Sequence, residues 1–317
     1  MMRSVTDVAG TGFTVLDRVY ADGGDAFEAL GGSCGNVLVS LALLDRRVTP
    51  VIALGCDPIG DALWVEFEQA GADTSFIFRS NLIESPVLIQ LVDTFEAQHE
   101  FSFVCPDTLQ DFPRFTPIED REVGNASFVL SNCSIFFADR VSEAILSAME
   151  IAAQGGAMVF FEPSAIDDAD LFRNALRHTT ILKYSLERFP ELVDERSFGF
   201  EGISIATFGR EGLQVRAGGR SVHCPAAPAD QVRDTSGSGD MVTVGIIDHL
   251  LALGRGVLAS NFEALIPGVA AGQRLAAANC AYTGARGLFR QRGPETARAI
   301  LDGCWPTFDS EMEPSFL

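Results

Sequence analysis

The chain contains the heptapeptide Asp234-Thr235-Ser236-Gly237-Ser238-Gly239-Asp240, and an apolar run with helical spacing follows it at residues 241–251. Glycines and hydroxyl residues therefore stand where a helix is predicted to begin. The first N–H groups of a helix have no internal partner, and the helix dipole places partial positive charge there. Because glycines permit positive φ angles and leave room for a ligand, the heptapeptide predicts an anion site, with phosphate as the expected guest.

Asp240 lies in the first predicted turn of that helix, beside the expected anion. Positive charge favours an ionised carboxylate, which can then accept a proton from a hydroxyl group. N–H groups of Gly237, Ser238 and Gly239 together with this base are the minimum equipment for moving a phosphoryl group onto an alcohol. Gly, Ser and Asp are also ordinary helix-capping residues, so taken alone the heptapeptide is more often a cap than an active site.

The composition narrows the class of protein. The chain has 317 residues, of which 47% are hydrophobic, enough for a large core in one α/β domain with an appendage or in two domains. A net charge of −20 disfavours nucleic acid and anionic membranes as partners. Seven scattered cysteines without a Cys-x-x-Cys pair indicate free thiols in a reducing compartment. With no apolar run of membrane-spanning length, we expect a soluble cytoplasmic protein.

Strands and helices are predicted to alternate along the chain. Buried strands are predicted at residues 6–17, 128–132, 158–164 and 202–207, and a further buried strand is predicted to begin at Val51, with helical segments between them. This alternation indicates a mostly parallel sheet, and its ligands are expected at the carboxyl ends of the strands. Asp17 and Asn132 are predicted to stand at such ends. Residues 86–92 and 99–104 flank a polar turn and predict a separate β-hairpin.

A second glycine-rich segment precedes the helix predicted at residues 37–44. Gly31 and Gly32 let backbone approach a polyol closely, and Asn36 can donate and accept hydrogen bonds at once. A Gly-Gly pair is usually only a turn, so this segment alone is a weak signal.

The order of these motifs resembles the ribokinase/PfkB family of sugar kinases. The heptapeptide resembles its Asp-Thr-x-Gly-Ala-Gly-Asp signature with Ser238 for Ala, residues 31–36 resemble Gly-Gly-x-x-x-Asn, and residues 207–212 resemble Thr-x-Gly-x-x-Gly. The resemblance covers nearly the whole chain. It implies one kinase domain over residues 1–317, a three-layer α/β/α sandwich around a mostly parallel sheet. It also implies a small β-sheet lid from about residues 18–30 and 84–106, which often forms a homodimer contact.

The resemblance implies ATP-dependent phosphorylation of a sugar-like hydroxyl, with Asp240 as the base. It places the sugar at Asp17, Gly31, Gly32, Asn36 and Asn132, and it places ATP at Thr207, Gly209, Gly212, Asp234, Thr235 and Asn279. Mg²⁺ is the implied metal, and a monovalent cation such as K⁺ is a further expected cofactor. The family's Asn-x-x-Glu magnesium element falls at residues 183–188, where the match is imperfect. Glu187 is the expected ligand.

Two alternatives remain open at this stage. A nucleoside kinase of the same fold would need an aromatic clamp near the lid, which Phe101 or Phe103 could provide. A sugar- or nucleotide-binding regulator without turnover would explain the altered residues 183–188, although Asp240 and its glycines favour catalysis. No cluster of arginine or lysine lies near the sugar motifs in the sequence, which disfavours a phosphorylated sugar as the acceptor.

Overall fold

A computed structural model describes residues 6–24, 26–106, 108–253 and 261–304. The polar tail predicted at residues 305–317 lies outside the described residues. In the described part of the chain, no helix is both long and apolar enough to cross a membrane.

The described strands form three sheets. In chain order the strands are β1 (Thr6–Thr11), β2 (Val15–Ala21), β3 (Phe27–Gly31), β4 (Val48–Pro50), β5 (Ile52–Gly55), β6 (Ile77–Ser80), β7 (Val87–Asp93), β8 (Gln98–Ser102), β9 (Cys133–Ala138), β10 (Met158–Phe161), β11 (Ile181–Ser185), β12 (Ile203–Thr207), β13 (Leu213–Ala217) and β14 (Arg220–Cys224). The main sheet has eight strands in the order β14-β13-β12-β11-β10-β9-β1-β4. Neighbours from β12 to β4 are parallel, whereas β13 and β14 add an antiparallel edge.

Helices cover both faces of the main sheet. The described α-helices are α1 (Ser33–Leu43), α2 (Pro58–Gln69), α3 (Asp120–Ser131), α4 (Glu143–Gln154), α5 (Ala169–His178), α6 (Ser238–Leu253), α7 (Ile266–Asn279) and α8 (Gly287–Leu301). Alternate strand residues enter different cores: Val8 and Phe137 pack with α1 and α6, whereas Ala9 and Phe136 pack with α3 and α4. Both faces of the strands are thus buried, which explains their continuous apolar runs. The predicted three-layer sandwich is confirmed.

A separate four-stranded sheet, called the lid here, has the order β3-β2-β7-β8. Strands β2 and β7 run parallel, and the other pairs are antiparallel. The predicted hairpin at residues 86–104 is confirmed as β7 and β8. The lid sheet begins at Val15, three residues before the predicted boundary, because β2 already pairs there with Gly31 of β3.

The strand predicted at residues 6–17 is in fact two strands in different sheets. β1 ends at Thr11, and Asp17 belongs to β2 of the lid. The chain turns at Gly12, whose φ is 140°, because the carboxylate of Asp139 accepts a hydrogen bond from the Phe13 N–H at 2.8 Å. A Cβ atom at Gly12 would lie 1.8 Å from Asp139 Oδ1, so the turn requires glycine.

The prediction of a strand at residues 128–132 is wrong. These residues end helix α3, and Asn132 is its C-cap. Glu119 and Glu122 form a capping box that begins the helix, and the buried residues Val123, Ala126 and Leu130 follow helical spacing. The strand β9 begins one residue after Asn132.

Three elements are joined by ion pairs near the end of α6 farthest from Asp240. Arg46 lies just beyond the end of α1, and its Nε donates a hydrogen bond to Asp248 of α6 at 2.7 Å. The other Asp248 oxygen accepts one from Arg298 of α8, also at 2.7 Å. These contacts fix the packing of α1, α6 and α8 around one carboxylate.

Candidate active site

The heptapeptide that is predicted to form a phosphate cradle spans the beginning of α6. α6 begins at Ser238, and Gly237 before it has a φ of 70°. A Cβ atom at Gly237 would lie 2.5 Å from the Ala285 side chain, so only glycine fits. The Ser238 N–H bonds to the Thr235 carbonyl at 3.2 Å. Within the described residues, the N–H groups of Gly237, Gly239 and Asp240 have no hydrogen-bond partner, so they are available to an anion.

Asp240 and Asn36, which are 204 residues apart, meet in a buried hydrogen bond. Asn36 Nδ2 donates to Asp240 Oδ2 at 2.8 Å, and Asn36 Oδ1 accepts from Arg286 Nε at 3.3 Å. Burial raises the pKa of Asp240 to about 7, and the negative charge of Glu162 acts in the same direction. The bond from Asn36 and the charge of Lys183 oppose this rise. A carboxyl group with a pKa near neutrality suits a general base.

Asp17 reaches the same site from the lid. It is buried, and within the described residues its Oδ1 atom has no hydrogen-bond partner. Burial raises its pKa to about 7; Arg286 opposes the rise, and Asp240 adds to it. Gly31 leaves space for this carboxylate, since a Cβ atom there would lie 1.9 Å from Asp17 Oδ2. A buried carboxylate without donors is a position where ligand hydroxyl groups would be stabilising.

Arg286 is a charged residue at the site that the sequence analysis missed. It is 5% exposed, and its guanidinium donates to the Leu30 carbonyl at 2.6 Å and pairs with Glu66. Its position beside Asn36 could not be inferred from the sequence, because 250 residues separate the two. Since Glu66 and backbone oxygen already engage this arginine, it organises the glycine-rich segment.

Lys183 and Glu162 form a buried ion pair beneath the cradle, and neither received a predicted role. Lys183 on β11 is 2% exposed and pairs with Glu162, which follows β10. The other Glu162 oxygen accepts a hydrogen bond from Thr243 of α6 at 2.6 Å. A Cβ atom at Gly239 would lie 3.6 Å from Lys183 Nζ. The site therefore holds a cation next to the open N–H groups; a lone lysine inside an apolar strand was the available sequence signal.

Asp139 stands where Asn132 was predicted to stand. It follows β9 at the carboxyl edge of the main sheet, is fully buried, and accepts hydrogen bonds from the N–H groups of Phe13 and Cys34. Burial raises its pKa to about 6. Asn132 precedes β9, at the opposite edge, and donates to the Phe128 carbonyl at 2.8 Å. Asn132 is therefore not part of this site.

Asp234, predicted as a nucleotide contact, is bonded internally. Its Oδ1 accepts from the Ser236 N–H at 2.8 Å and from Ser236 Oγ at 2.6 Å, and its Oδ2 accepts from the Gly284 N–H at 2.7 Å. These bonds join the heptapeptide to the loop that packs Ala285 against Gly237. Thr235 is exposed next to this buried residue.

The remaining predicted nucleotide residues lie at the end of β12, in the turn that follows it, and at the end of α7. Thr207 ends β12 and donates to the Tyr184 carbonyl at 3.3 Å. Gly209 and Gly212 have φ values of 58° and 95° in the turn that follows. Asn279 ends α7, where its side chain donates to the Ala285 carbonyl at 3.1 Å and accepts from the Leu288 N–H at 3.0 Å. Asn279 thus holds the loop beneath Gly237.

The residues that the structure describes do not form a closed metal site. Within the described residues, no group of three or more His, Cys, Asp or Glu side chains could hold a metal ion. Glu187, the predicted magnesium ligand, is exposed in the turn after β11. A single exposed carboxylate at that edge fits a Mg²⁺ ion held mainly by nucleotide phosphates and water, which is the usual arrangement for this ion.

Comparisons with known proteins give a family match for most of the chain. A family model described as pfkB family carbohydrate kinase matches residues 23–291. A search of curated proteins found no match.

Similar solved structures include three kinases. Fructokinase with bound ATP from Xylella fastidiosa has a TM-score of 0.75 and 18% identity, covering 94% of this chain and 98% of its own. Ribokinase from Giardia lamblia has a TM-score of 0.75 and 16% identity, and the match covers 95% of this chain and 98% of the ribokinase chain. Aminoimidazole riboside kinase from Salmonella enterica, complexed with aminoimidazole riboside and an ATP analog, has a TM-score of 0.72 and 19% identity, with coverages of 93% and 100%. At these identities the likeness shows a shared fold.

Proposed function

Since the chain belongs to the pfkB family of carbohydrate kinases, we propose that it transfers the γ-phosphoryl group of ATP to a hydroxyl group of a sugar-like acceptor. The observation that carries this proposal is the position of Asp240. Its buried carboxylate accepts a hydrogen bond from Asn36 and stands in the first turn of α6, beside three N–H groups that have no partner among the described residues. A base and an anion cradle therefore share one helix terminus.

The proposed transfer uses the chain's own groups as follows. Asp17 and Asn36 orient the acceptor hydroxyl groups, and the lid excludes water. The acceptor oxygen attacks the γ-phosphorus while Asp240 accepts its proton, and the bond from this phosphorus to the bridging oxygen breaks to release ADP. The N–H groups of Gly237, Gly239 and Asp240 and the ammonium of Lys183 stabilise the charge on the transferring group. The Ser238 N–H, which the sequence analysis included, is already bonded to Thr235.

Mg²⁺ bound to ATP would neutralise part of the phosphate charge. Glu187 is the carboxylate proposed to hold this Mg²⁺ ion. We also propose that the enzyme uses a monovalent cation such as K⁺. The proposed site is the loop in which the Gly284 N–H donates to Asp234.

The decisive experiment measures ADP formation from ATP and Mg²⁺ with a panel of sugars, sugar acids and nucleosides. Asp240→Asn is expected to stay folded and bind ATP, and to transfer phosphate on the order of 10²–10⁴-fold more slowly, because the base is lost. Asp120→Asn, an exposed aspartate at the start of α3, is the matched control and should retain wild-type turnover.

The pH dependence of the same assay tests the identity of the base. Because burial raises the pKa of Asp240 to about 7, kcat/KM should rise with pH and level off above about 7. Near-normal turnover by Asp240→Asn would overturn the assignment. ATP binding without turnover on every acceptor would instead support the regulator interpretation.

A nucleoside acceptor is the second candidate, favoured by an aromatic cluster beside Gly32. The Phe13 ring lies 3.0 Å from the Cβ position of Gly32 and contacts Phe103 and Phe115, at centroid distances of 6.3 and 6.1 Å. Phe101, the other predicted clamp residue, is half-exposed and contacts His99. A planar base could stack on such a cluster. Pairing each sugar in the panel with its nucleoside separates the two candidates.

Homodimerisation through the lid is also a proposal. Leu91 and Tyr20 pair across β7 and β2 and thus share one face of the lid sheet; Leu91 and the nearby Phe95 are exposed. An exposed apolar face of this kind suits a contact with a second copy of the chain.

A further inference from the structure

The lid is hydrogen-bonded directly to the loop that carries the phosphate cradle. Gln90 on β7 is 1% exposed, and its Nε2 donates to Ser236 Oγ and lies 3.5 Å from Asp234 Oδ2. Ser236 Oγ in turn donates to Asp234 Oδ1 at 2.6 Å. An amide nitrogen only donates and a carboxylate only accepts, so this chain of bonds has one direction, from the lid to Asp234.

The neighbouring lid strand reaches the same loop. The strand register pairs Gln90 with Phe101 and Val92 with His99, which places Gln90 and His99 on one face of the lid. His99 Nδ1 lies 3.5 Å from Thr235 Oγ1 and 3.8 Å from Asp234 Oδ1. Two lid side chains therefore converge on three consecutive residues of the heptapeptide.

These contacts bear on both halves of the site. Asp17, the acceptor-side carboxylate, pairs with Leu88 in the lid sheet, two residues before Gln90. Ser236 precedes Gly237, the residue whose positive φ shapes the cradle. A shift of the lid that moves Asp17 must therefore also strain the bond from Gln90 to Ser236.

We propose that Gln90, with His99 beside it, is a positioning residue that couples the acceptor-side lid to the phosphate cradle. The inference rests on the proposed kinase function for its catalytic consequence, and on the hydrogen bonds alone for its structural part. Acceptor binding beneath the lid would then hold the N–H groups of the cradle in place for ATP, so the two substrates should bind with synergy.

Hydrogen exchange without any ligand tests the structural part. In Gln90→Leu, amide exchange in the segment 234–240 should be about threefold to tenfold faster, as expected for the loss of one hydrogen bond. The amides of Ser236 and Ser238 report this most directly, because both are bonded within the loop. Exchange in strand β9 should stay unchanged. Gln98→Leu is the matched control, because Gln98 is exposed on the opposite face of the lid.

Kinetics test the catalytic part. Gln90→Leu should lower kcat about threefold to tenfold, and it should reduce both the acceptor-dependent gain in ATP affinity and, reciprocally, the ATP-dependent gain in acceptor affinity. Gln90→Asn, which keeps a polar side chain, serves if Gln90→Leu does not fold. Ser236→Ala removes the middle of the same chain of bonds, so adding it to Gln90→Leu should cost less than the sum of the two single effects.

The outcomes separate the two proposals. Faster exchange at 234–240 in Gln90→Leu alone supports the positioning role, even if no acceptor is ever turned over and the kinase proposal fails. Wild-type exchange in Gln90→Leu, or an equal increase in Gln98→Leu, overturns the positioning role, even if the enzyme is an active kinase.

Discussion

Asp17 and Asp234 are both buried aspartates at the candidate site, yet their surroundings are opposite. Asp234 receives hydrogen bonds from the Ser236 N–H and hydroxyl and from the Gly284 N–H. The Oδ1 of Asp17 has no partner within the described residues, and burial raises the pKa of this carboxyl group to about 7. Buried polar groups in folded proteins are nearly always hydrogen-bonded. The difference therefore distinguishes Asp234, which holds the fold, from Asp17, which is proposed to bind a ligand.

The comparison also separates the two halves of the site. On the side proposed to bind the nucleotide, the side chains of Asp234 and Asn279 form internal hydrogen bonds that hold two loops together. On the side proposed to bind the acceptor, burial raises the pKa of both Asp17 and Asp240 to about 7. We infer that the cradle is preformed by internal bonds, whereas the acceptor pocket is completed by its ligand.

Removing Asp234 should have the largest effect on stability. Asp234→Ala leaves the Ser236 and Gly284 N–H groups without partners, and the free energy of unfolding should fall on the order of 4 kcal/mol. Urea unfolding measures this change. Asp230→Ala, an exposed neighbour, is the control and should unfold like the wild type. A loss below about 1 kcal/mol for Asp234→Ala would erase the contrast with Asp17.

Changing Asp17 should affect activity and spare the fold. Asp17→Asn should lower kcat/KM for the acceptor about 10- to 150-fold, the value of one or two hydrogen bonds to a charged group. Steady-state kinetics on the substrate found in the panel provide the measurement. An unchanged kcat/KM would show that Asp17 does not contact the acceptor.

The same variant tests the raised pKa through stability. Burial disfavours the ionised form of Asp17 in the folded state. The stability associated with the protonated carboxyl group is therefore fully present below about pH 4, and it is lost as the pH rises through about 7. Asp17→Asn avoids this loss, so its Tm should exceed that of the wild type by at least about 2–4 °C at pH 8. The difference should vanish near pH 4. A lower Tm at pH 8 would contradict the unpartnered state of Asp17.

The smallest expected effect is at Glu187, which is exposed and outside both bonded networks. If Glu187 holds nucleotide-borne Mg²⁺, Glu187→Gln should raise the Mg²⁺ concentration needed for half-maximal rate by no more than about tenfold. A magnesium titration at saturating ATP measures this. Glu191→Gln, an exposed glutamate nearby, provides the baseline. Identical titrations for both variants would remove Glu187 from the metal site.

Local patterns predicted the elements that depend on local chemistry. The beginning of α6 and the β7–β8 hairpin followed from glycine placement and alternating polarity, and both are confirmed. The error at Asn132 also had a local cause, since the Glu119–Glu122 capping box and the helical spacing after it went unrecognised.

Other features depend on contacts that no local pattern encodes. The boundary between β1 and β2 is set by Asp139, which bonds to Phe13 across a separation of 126 residues. Lys183 is the third residue of an apolar strand, and only the strand order places it beside Glu162 and the cradle. Arg286 precedes α8 and meets Asn36 of α1 only through tertiary packing, across a separation of 250 residues. The sequence could supply the candidate residues of the heptapeptide, but not the charges that surround them.

Helix α6 connects the candidate site to the ion pairs at Asp248. Asp240 and Asp248 lie on it about 12 Å apart along the axis at 1.5 Å per residue. Arg46 and Arg298 clamp Asp248, so the helix cannot slide without breaking both ion pairs. The axial position of Asp240, the proposed base, is thereby set by contacts near the other end of the same helix. A substitution at either arginine would consequently resemble an active-site lesion in a kinetic assay, and surveys of natural variants should treat these two positions accordingly.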